Sequence, residues 1–171
     1  MKNILLLLFC TMFLQSCSQT QKSNPMENQA SKSNPYYSRT NKNKLEVSNE
    51  KWKKILPNDL YFVAREADTE RPFTGKYNDF DEIGEYYCAV CGNHLFRSSS
   101  KFASSCGWPS FYEADKNGVI YRRDSSHGME RTEVLCKRCE SHLGHVFTDG
   151  PAPTGNRFCM NSVCLDFERD K

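Results

Sequence analysis

After Lys2 the chain runs apolar from Ile4 to Leu14, then turns polar and aperiodic from residue 18 to 44. A patterned region begins at about Leu45. Ser48 stands in an N-cap position ahead of Glu50-Lys51-Trp52-Lys53-Lys54-Ile55-Leu56, which predicts a short helix ended by Pro57. A second helical turn or two is expected from Asn58-Asp59 over Leu60-Tyr61-Phe62-Val63. Beyond Arg71-Pro72-Phe73 the period shortens to that of strands, punctuated by Gly, Pro, Asn and Asp. Strands are predicted over residues 85–90, 119–123, 131–136, 145–148 and 158–167. Strands this short, with this many turns, predict a mainly β fold: a twisted antiparallel sheet or small barrel after the small helices. No internal repeat is visible.

The length of 171 residues suits one modest domain with appendages. The apolar run is shorter than the roughly 20 residues a membrane-spanning helix needs, and no amphipathic pattern or helix stop follows it. Residues 1–16 therefore read as a secretory signal peptide. Leu14-Gln15-Ser16-Cys17 resembles a bacterial lipobox, which would make Cys17 a lipidated N-terminus, anchored to a membrane without spanning it. Ordinary cleavage nearby, giving a soluble secreted product, is the alternative, and Ser16 suits both. The expected address is extracytoplasmic, on a bacterial envelope.

By composition, residues 18–44 form a disordered tether with a reach on the order of 30 Å, which leaves 45–171 as the folded domain. The tether holds Lys22, Lys32, Arg39, Lys42 and Lys44 against Glu27. With Lys2 these exceed the net charge of +2, so the domain itself is slightly acidic. Nothing in it suggests a nucleic-acid partner.

Nine cysteines carry the most specific signal. Beyond Cys10 and Cys17, two pairs stand out, Cys88-Ala-Val-Cys91 and Cys136-Lys-Arg-Cys139. Two such turns can face four thiolates toward one ion, the closed tetrahedral arrangement of a structural Zn2+ site. Two disulfides, or redox dithiols, are the competing readings in a secreted protein. Cys106, Cys159 and Cys164 remain, an odd set that leaves at least one thiol unpaired within the chain or engaged in chemistry.

Cys159 lies in Gly155-Asn156-Arg157-Phe158-Cys159-Met160-Asn161-Ser162, downstream of His142-Leu143-Gly144-His145-Val146-Phe147-Thr148-Asp149-Gly150 and Ser126-His127-Gly128-Met129. A cysteine near histidines and an arginine can be held as the attacking thiolate, and a histidine can protonate a departing oxygen. Cys106 sits in Ser105-Cys106-Gly107-Trp108-Pro109-Ser110-Phe111, where an indole could wall an apolar pocket. Taken singly, a strand cysteine is a small buried hydrophobe, a lone histidine is structural and a tryptophan belongs to the core. Several polar-aromatic stretches in one small domain, none needed for packing, shift the reading toward chemistry.

These stretches, with Glu70-Arg71-Pro72-Phe73-Thr74-Gly75 and both cysteine pairs, resemble the B-type methionine-R-sulfoxide reductases over nearly all of residues 47–167. The resemblance implies a bent β-sheet or open barrel with a structural zinc on Cys88, Cys91, Cys136 and Cys139. It implies Cys159 as the nucleophile and Cys106 as the resolving cysteine. His142, His145, Asp149, Arg157 and Asn161 would form the polar side of the site, with His145 the first choice of proton donor. Trp108, with Phe158 and His127 nearby, would take the substrate side. The implied cycle attacks protein-bound methionine-R-sulfoxide, passes through a Cys159 sulfenic acid and a Cys106–Cys159 disulfide, and is reset by a thioredoxin-like reductant. Cys164 departs from the family pattern: it is either a buried bystander or an alternative resolving thiol. A zinc-ribbon binding module and a general disulfide oxidoreductase are the rival readings.

Overall fold

A computed structural model describes residues 34–171. The expected signal segment, Cys17 and the first part of the expected tether lie outside the described residues. Helix α1 spans Asn49–Ile55 and α2 spans Asn58–Glu66. Ser48 occupies the N-cap of α1 without a side-chain cap; its backbone carbonyl accepts from Lys51 and Trp52. Pro57, barred from donating a hydrogen bond, separates the helices. A left-handed Ala67 ends α2.

Nine antiparallel strands follow: β1 Gly84–Cys88, β2 His94–Arg97, β3 Lys101–Phe102, β4 Ser110–Phe111, β5 Val119–Asp124, β6 Arg131–Cys136, β7 His142–Phe147, β8 Arg157–Met160 and β9 Leu165–Arg169. They form a three-stranded sheet in the order β2-β1-β9 and a six-stranded sheet in the order β3-β4-β8-β7-β6-β5. The core holds Tyr86, Phe96, Phe111, Leu143 and Met160, with the Phe96 and Phe111 rings stacked 4.3 Å apart. Helix α1 adds Trp52 and α2 adds Leu60 and Val63 to it.

The expected mainly β fold with two short helices is what the chain adopts, with differences in detail. The single strand expected over 158–167 is two strands in different sheets. The Glu70 carboxylate takes the backbone N–H groups of Ser162 and Val163, at 2.5 and 2.9 Å, and Cys164 N–H turns back onto Asn161 O. A strand whose amides are taken by a side chain cannot extend its ladder. Strand β7 begins at His142, three residues before the expected start. Strands β2, β3 and β4, of four, two and two residues, carry too little alternation to be read from the sequence.

A further difference concerns the segment before Leu45. Residues 34–44, assigned by composition to the tether, pack against the domain. Asn34 donates to Val90 O, Ser38 N–H to Cys91 O, and the Tyr36 ring meets Trp52 edge-on at 5.3 Å. Arg39 pairs with Asp166 at 2.9 Å and Glu168 at 2.8 Å, and Lys44 with Glu140 at 2.7 Å. Buried Arg138 gathers this strap: its guanidinium donates to the carbonyls of Tyr36, Ser38, Asn43 and Cys91. Composition undercounts such a segment because backbone carbonyls and charges hold it, with few apolar side chains. Arg138→Ala orphans those carbonyls and is expected to cost about 2–4 kcal/mol. Urea denaturation of the two proteins measures that loss; an unchanged midpoint would remove the strap from the stability of the fold.

Candidate active site

Strand register builds the site. Ser110 pairs with Cys159, Cys159 with His145, His145 with Glu133, and Glu133 with Arg122. Facing residues in an antiparallel ladder share a face, so one polar row crosses five strands. Arg157 and Phe147 form the next pair on the same face, and Asp124 and Arg131 another. A register shift between Val134 and Leu135 places His142 opposite Leu135 and Gly144 opposite Val134. Without that bulge, residues three apart would face opposite ways. With it, the His142 and His145 rings meet at 5.4 Å. Gly144 permits the close approach of β7 to β8, since a Cβ there would lie 2.1 Å from Cys159 O.

A pocket of about 110 Å³ opens on this face, lined by Thr69, Trp108, Arg131, Gly144, His145, Phe147, Cys159 and Asn161. Cys106 Sγ stands 3.4 Å from Cys159 Sγ and 3.3 Å from Ser110 Oγ. A disulfide at about 2.05 Å is therefore little more than 1 Å of sulfur movement away. Trp108 is fixed by donating from Nε1 to Glu70 O at 3.2 Å. Asn161, buried, accepts from Glu70 N–H at 3.1 Å and donates to Leu143 O at 3.2 Å.

The two thiols lose their first proton easily and their second with difficulty. Burial opposes ionisation of Cys106, but hydrogen bonds with Ser104, Ser110, the Trp108 backbone and Cys159 bring it down to about 7. Burial and the neighbouring Cys106 charge push Cys159 up to about 12, against the pull of Arg157. Near neutral pH the pair is about half ionised, and the single negative charge it can hold lies across a 3.4 Å contact. Because the protonated form is unreactive, alkylation of the pair by iodoacetamide is expected to rise with pH through a midpoint near 7 and to fall below it. A midpoint near the ordinary cysteine value would contradict this geometry. Arg157 holds the positive charge nearby, forked onto Asp149 with both contacts at 2.9 Å and lying 4.4 Å over the Phe147 ring.

A second, polar pocket of about 380 Å³ adjoins the first and shares Thr69, Arg131 and His145 with it. His142 and His127 line this one only. His142 Nδ1 meets Glu133 Oε1 at 2.7 Å; burial lowers its pKa despite that carboxylate, keeping the ring neutral at pH 7. His145 Nε2 meets Asp124 Oδ2 at 2.8 Å, and Arg131 donates to the same oxygen at 2.7 Å. Hydrogen bonds from Ser126, then His145, hold Asp124 well below the usual carboxylate range.

Of the residues singled out from the sequence, Cys159, Trp108, His145 and Asn161 share the small pocket. Cys106 touches Cys159 from beside it. Arg157 and Asp149 pair on the strip next to it. Phe158 departs from the expectation: it alternates with Cys159 along β8, is buried on the core face, and packs on Phe96 at 5.8 Å. Cys164 is buried in the core and lines neither pocket. Thr69, Asp124, Arg131 and Glu133 were not anticipated, and Glu70 stood out only as the start of a family-like stretch. A signal for two of them was present, since Arg131 and Glu133 are charges at alternate positions of a predicted strand.

The four remaining cysteines meet at the far end of β6 from Arg131. Their Sγ atoms all lie within 4.8 Å of one another, with Cys88 to Cys139 at 3.7 Å and Cys91 to Cys136 at 3.6 Å. A tetrahedral ion with bonds of about 2.3 Å to sulfur needs sulfurs about 3.8 Å apart, so the buried cluster fits a bound metal. Each turn ends in a left-handed residue at the same position, Gly92 in one and Glu140 in the other.

The family model described as SelR domain matches residues 56–169. "Peptide methionine sulfoxide reductase MsrB" of Pseudomonas putida is 54% identical over 126 residues, 73% of this chain and 95% of its own. The protein of that name from Pseudomonas fluorescens is 56% identical over 125 residues, 72% of this chain and 95% of its own. "Probable methionine-R-sulfoxide reductase B" of Caenorhabditis elegans is 53% identical over 132 residues, 75% of this chain and 86% of its own.

Proposed function

Because the chain belongs to the SelR-domain family of B-type methionine-R-sulfoxide reductases, we propose that it reduces methionine-R-sulfoxide, chiefly in proteins, to methionine. The observation that carries this reading is the placement of the two thiols. Cys159 is the sulfur inside the pocket, and Cys106 stands 3.4 Å from it.

The substrate methyl group packs against Trp108 and Phe147, which leaves the sulfoxide oxygen toward His145. Cys159 attacks the sulfoxide sulfur as the thiolate, its proton carried by Cys106 across the 3.4 Å contact, while a proton reaches the oxygen, with His145 the histidine that lines the pocket. The sulfoxide oxygen passes to Cys159, methionine leaves, and Cys159 is a sulfenic acid. The Cys106 thiol attacks that sulfur, forming the Cys106–Cys159 disulfide and releasing water. A thioredoxin-like dithiol then exchanges with the disulfide, restoring both thiols and becoming oxidised itself. Arg157 favours the thiolate, and Asp149 holds Arg157 in place.

Cys88, Cys91, Cys136 and Cys139 would hold a structural Zn2+, which supplies folding stability and takes no part in the reaction. The N-terminal leader and the Leu14-Gln15-Ser16-Cys17 box support a lipid-anchored product in a bacterial envelope, where oxidised envelope proteins would be its substrates. Metabolic labelling with a palmitate analogue, compared with Cys17→Ala, tests the anchor.

The test of the reaction is to offer separate R and S epimers of a methionine-sulfoxide peptide to the protein, with dithiothreitol as reductant. Consumption of R alone is expected. Consumption of neither by folded, metal-loaded protein would move the assignment to a non-catalytic binding module.

A further inference from the structure

Glu70 joins two separate parts of the pocket wall, Trp108 and the Asn161–Val163 turn, from more than thirty residues away in sequence. Its carboxylate accepts from Ser162 and Val163 N–H, at 2.5 and 2.9 Å, at the turn that follows Cys159-Met160-Asn161. Its backbone N–H donates to Asn161 Oδ1 at 3.1 Å, and its carbonyl accepts from Trp108 Nε1 at 3.2 Å. Trp108 and Asn161 both line the pocket, and Glu70 itself does not. Oε1 is also closely packed, since a Cβ on Gly75 would meet it at 2.7 Å.

We infer that Glu70 is the positioning residue of the reaction pocket: its carboxylate, clamped on the turn after Cys159, sets where Trp108 and Asn161 stand relative to the Cys159 sulfur. This inference deepens the reductase reading and rests on it. The physical argument is one of donors and acceptors. Two backbone N–H groups diverging from one turn need two acceptor oxygens, which an ionised carboxylate supplies. Glutamine keeps the shape but offers one oxygen, so its amide N–H faces a backbone N–H. Glu70 must then shift, and its main chain carries the indole and the Asn161 amide with it.

Glu70→Gln and Glu70→Asp in the full metal-loaded chain test this. For Glu70→Gln, the KM for a methionine-R-sulfoxide peptide is expected to rise about ten-fold or more, the worth of one charged hydrogen bond. The rate of Cys106–Cys159 disulfide formation with hydrogen peroxide, which needs no pocket wall, should stay within about two-fold. Acrylamide quenching gives a readout independent of activity. Trp52 is 1% exposed, and with only 2 tryptophans in the chain, a gain in quenching reports Trp108 coming loose. Glu70→Asp, which keeps both oxygens, should fall between the wild type and Glu70→Gln in KM and quenching.

Unchanged KM and quenching in a folded Glu70→Gln protein would overturn the inference. So would failure of both variants to fold, since Glu70 would then serve the fold as a whole. If the wild type reduced neither epimer, the reductase reading would fall, and the quenching series would still decide whether Glu70 positions Trp108.

Discussion

Cys159→Ser is expected to abolish reduction of methionine-R-sulfoxide, with a loss of at least about 10³-fold in kcat/KM. A serine hydroxyl is not ionised near neutral pH, and its oxygen cannot accept the sulfoxide oxygen in a stable sulfenic acid. No other thiol lines the pocket, and Cys164 is sealed in the core, where burial pushes its thiol up. Cys106→Ser should behave differently. Its first turnover should proceed, releasing about one methionine per chain, and Cys159 should then be trapped as a dimedone adduct detectable by mass. Turnover with a dithiol protein reductant should be lost, because the disulfide that such a reductant attacks can no longer form. Full single-turnover activity in Cys159→Ser would sink the assignment. Sustained turnover of Cys106→Ser with a protein reductant would pass the resolving role to another thiol.

The second large effect is expected at the other end of β6. Cys136→Ser removes one of four sulfurs from a buried cluster, and a three-sulfur remnant binds its ion weakly. Structural zinc contributes about 10–16 kcal/mol to small metal-folded domains, as much as the whole net stability of an ordinary domain. This domain also has a core of its own, so a smaller but still large penalty is expected, at least about 4 kcal/mol. That corresponds to a fall in Tm of more than about 10 °C. Metal content by atomic absorption and thermal unfolding followed by circular dichroism measure both quantities. A Cys136→Ser protein with undiminished Tm and metal content would remove the metal from the fold's support. The strap from residue 34 bears on the same place, because Arg138 and Cys91 belong to the two cysteine turns and are joined both directly and through Ser38. Chelators should therefore strip Arg138→Ala faster than the unaltered chain.

Both effects fall on residues that stood out in the sequence, and the reason is that their chemistry is encoded locally. A Cys-x-x-Cys turn aims two sulfurs at one point by its own geometry. The two such turns could thus be read as a metal site before any contact between them was known. Arg131–Cys136 was legible to the residue because a β-prone run that ends in Val134-Leu135-Cys136 is bounded by turn residues, and that apolar end is buried. Trp108, Cys159, His145 and Asn161 were legible as a set through stretches that resemble a known family.

What lay beyond the sequence is everything fixed by register and by long-range partners. The bulge in β7 decides that His142 and His145 share a face, and no local signal marks it apart from Gly144. Phe158 was placed with the substrate, yet one step along a strand reverses the face and puts it in the core. Asp124 and Glu133 became partners of the histidines only when β5 and β6 were laid beside β7. The sequence by itself determined the β-rich fold class and the two Cys-x-x-Cys turns, because spacing over a few residues carries that information, and its resemblance to a known family singled out Cys159 and Cys106. The tertiary structure alone decided the 3.4 Å approach of Cys106 to Cys159, the packing of residues 34–44 and the grip of Glu70 on both Trp108 and Asn161. Those contacts join residues some 38 to 91 positions apart, and only the packed chain holds such residues at hydrogen-bonding distance.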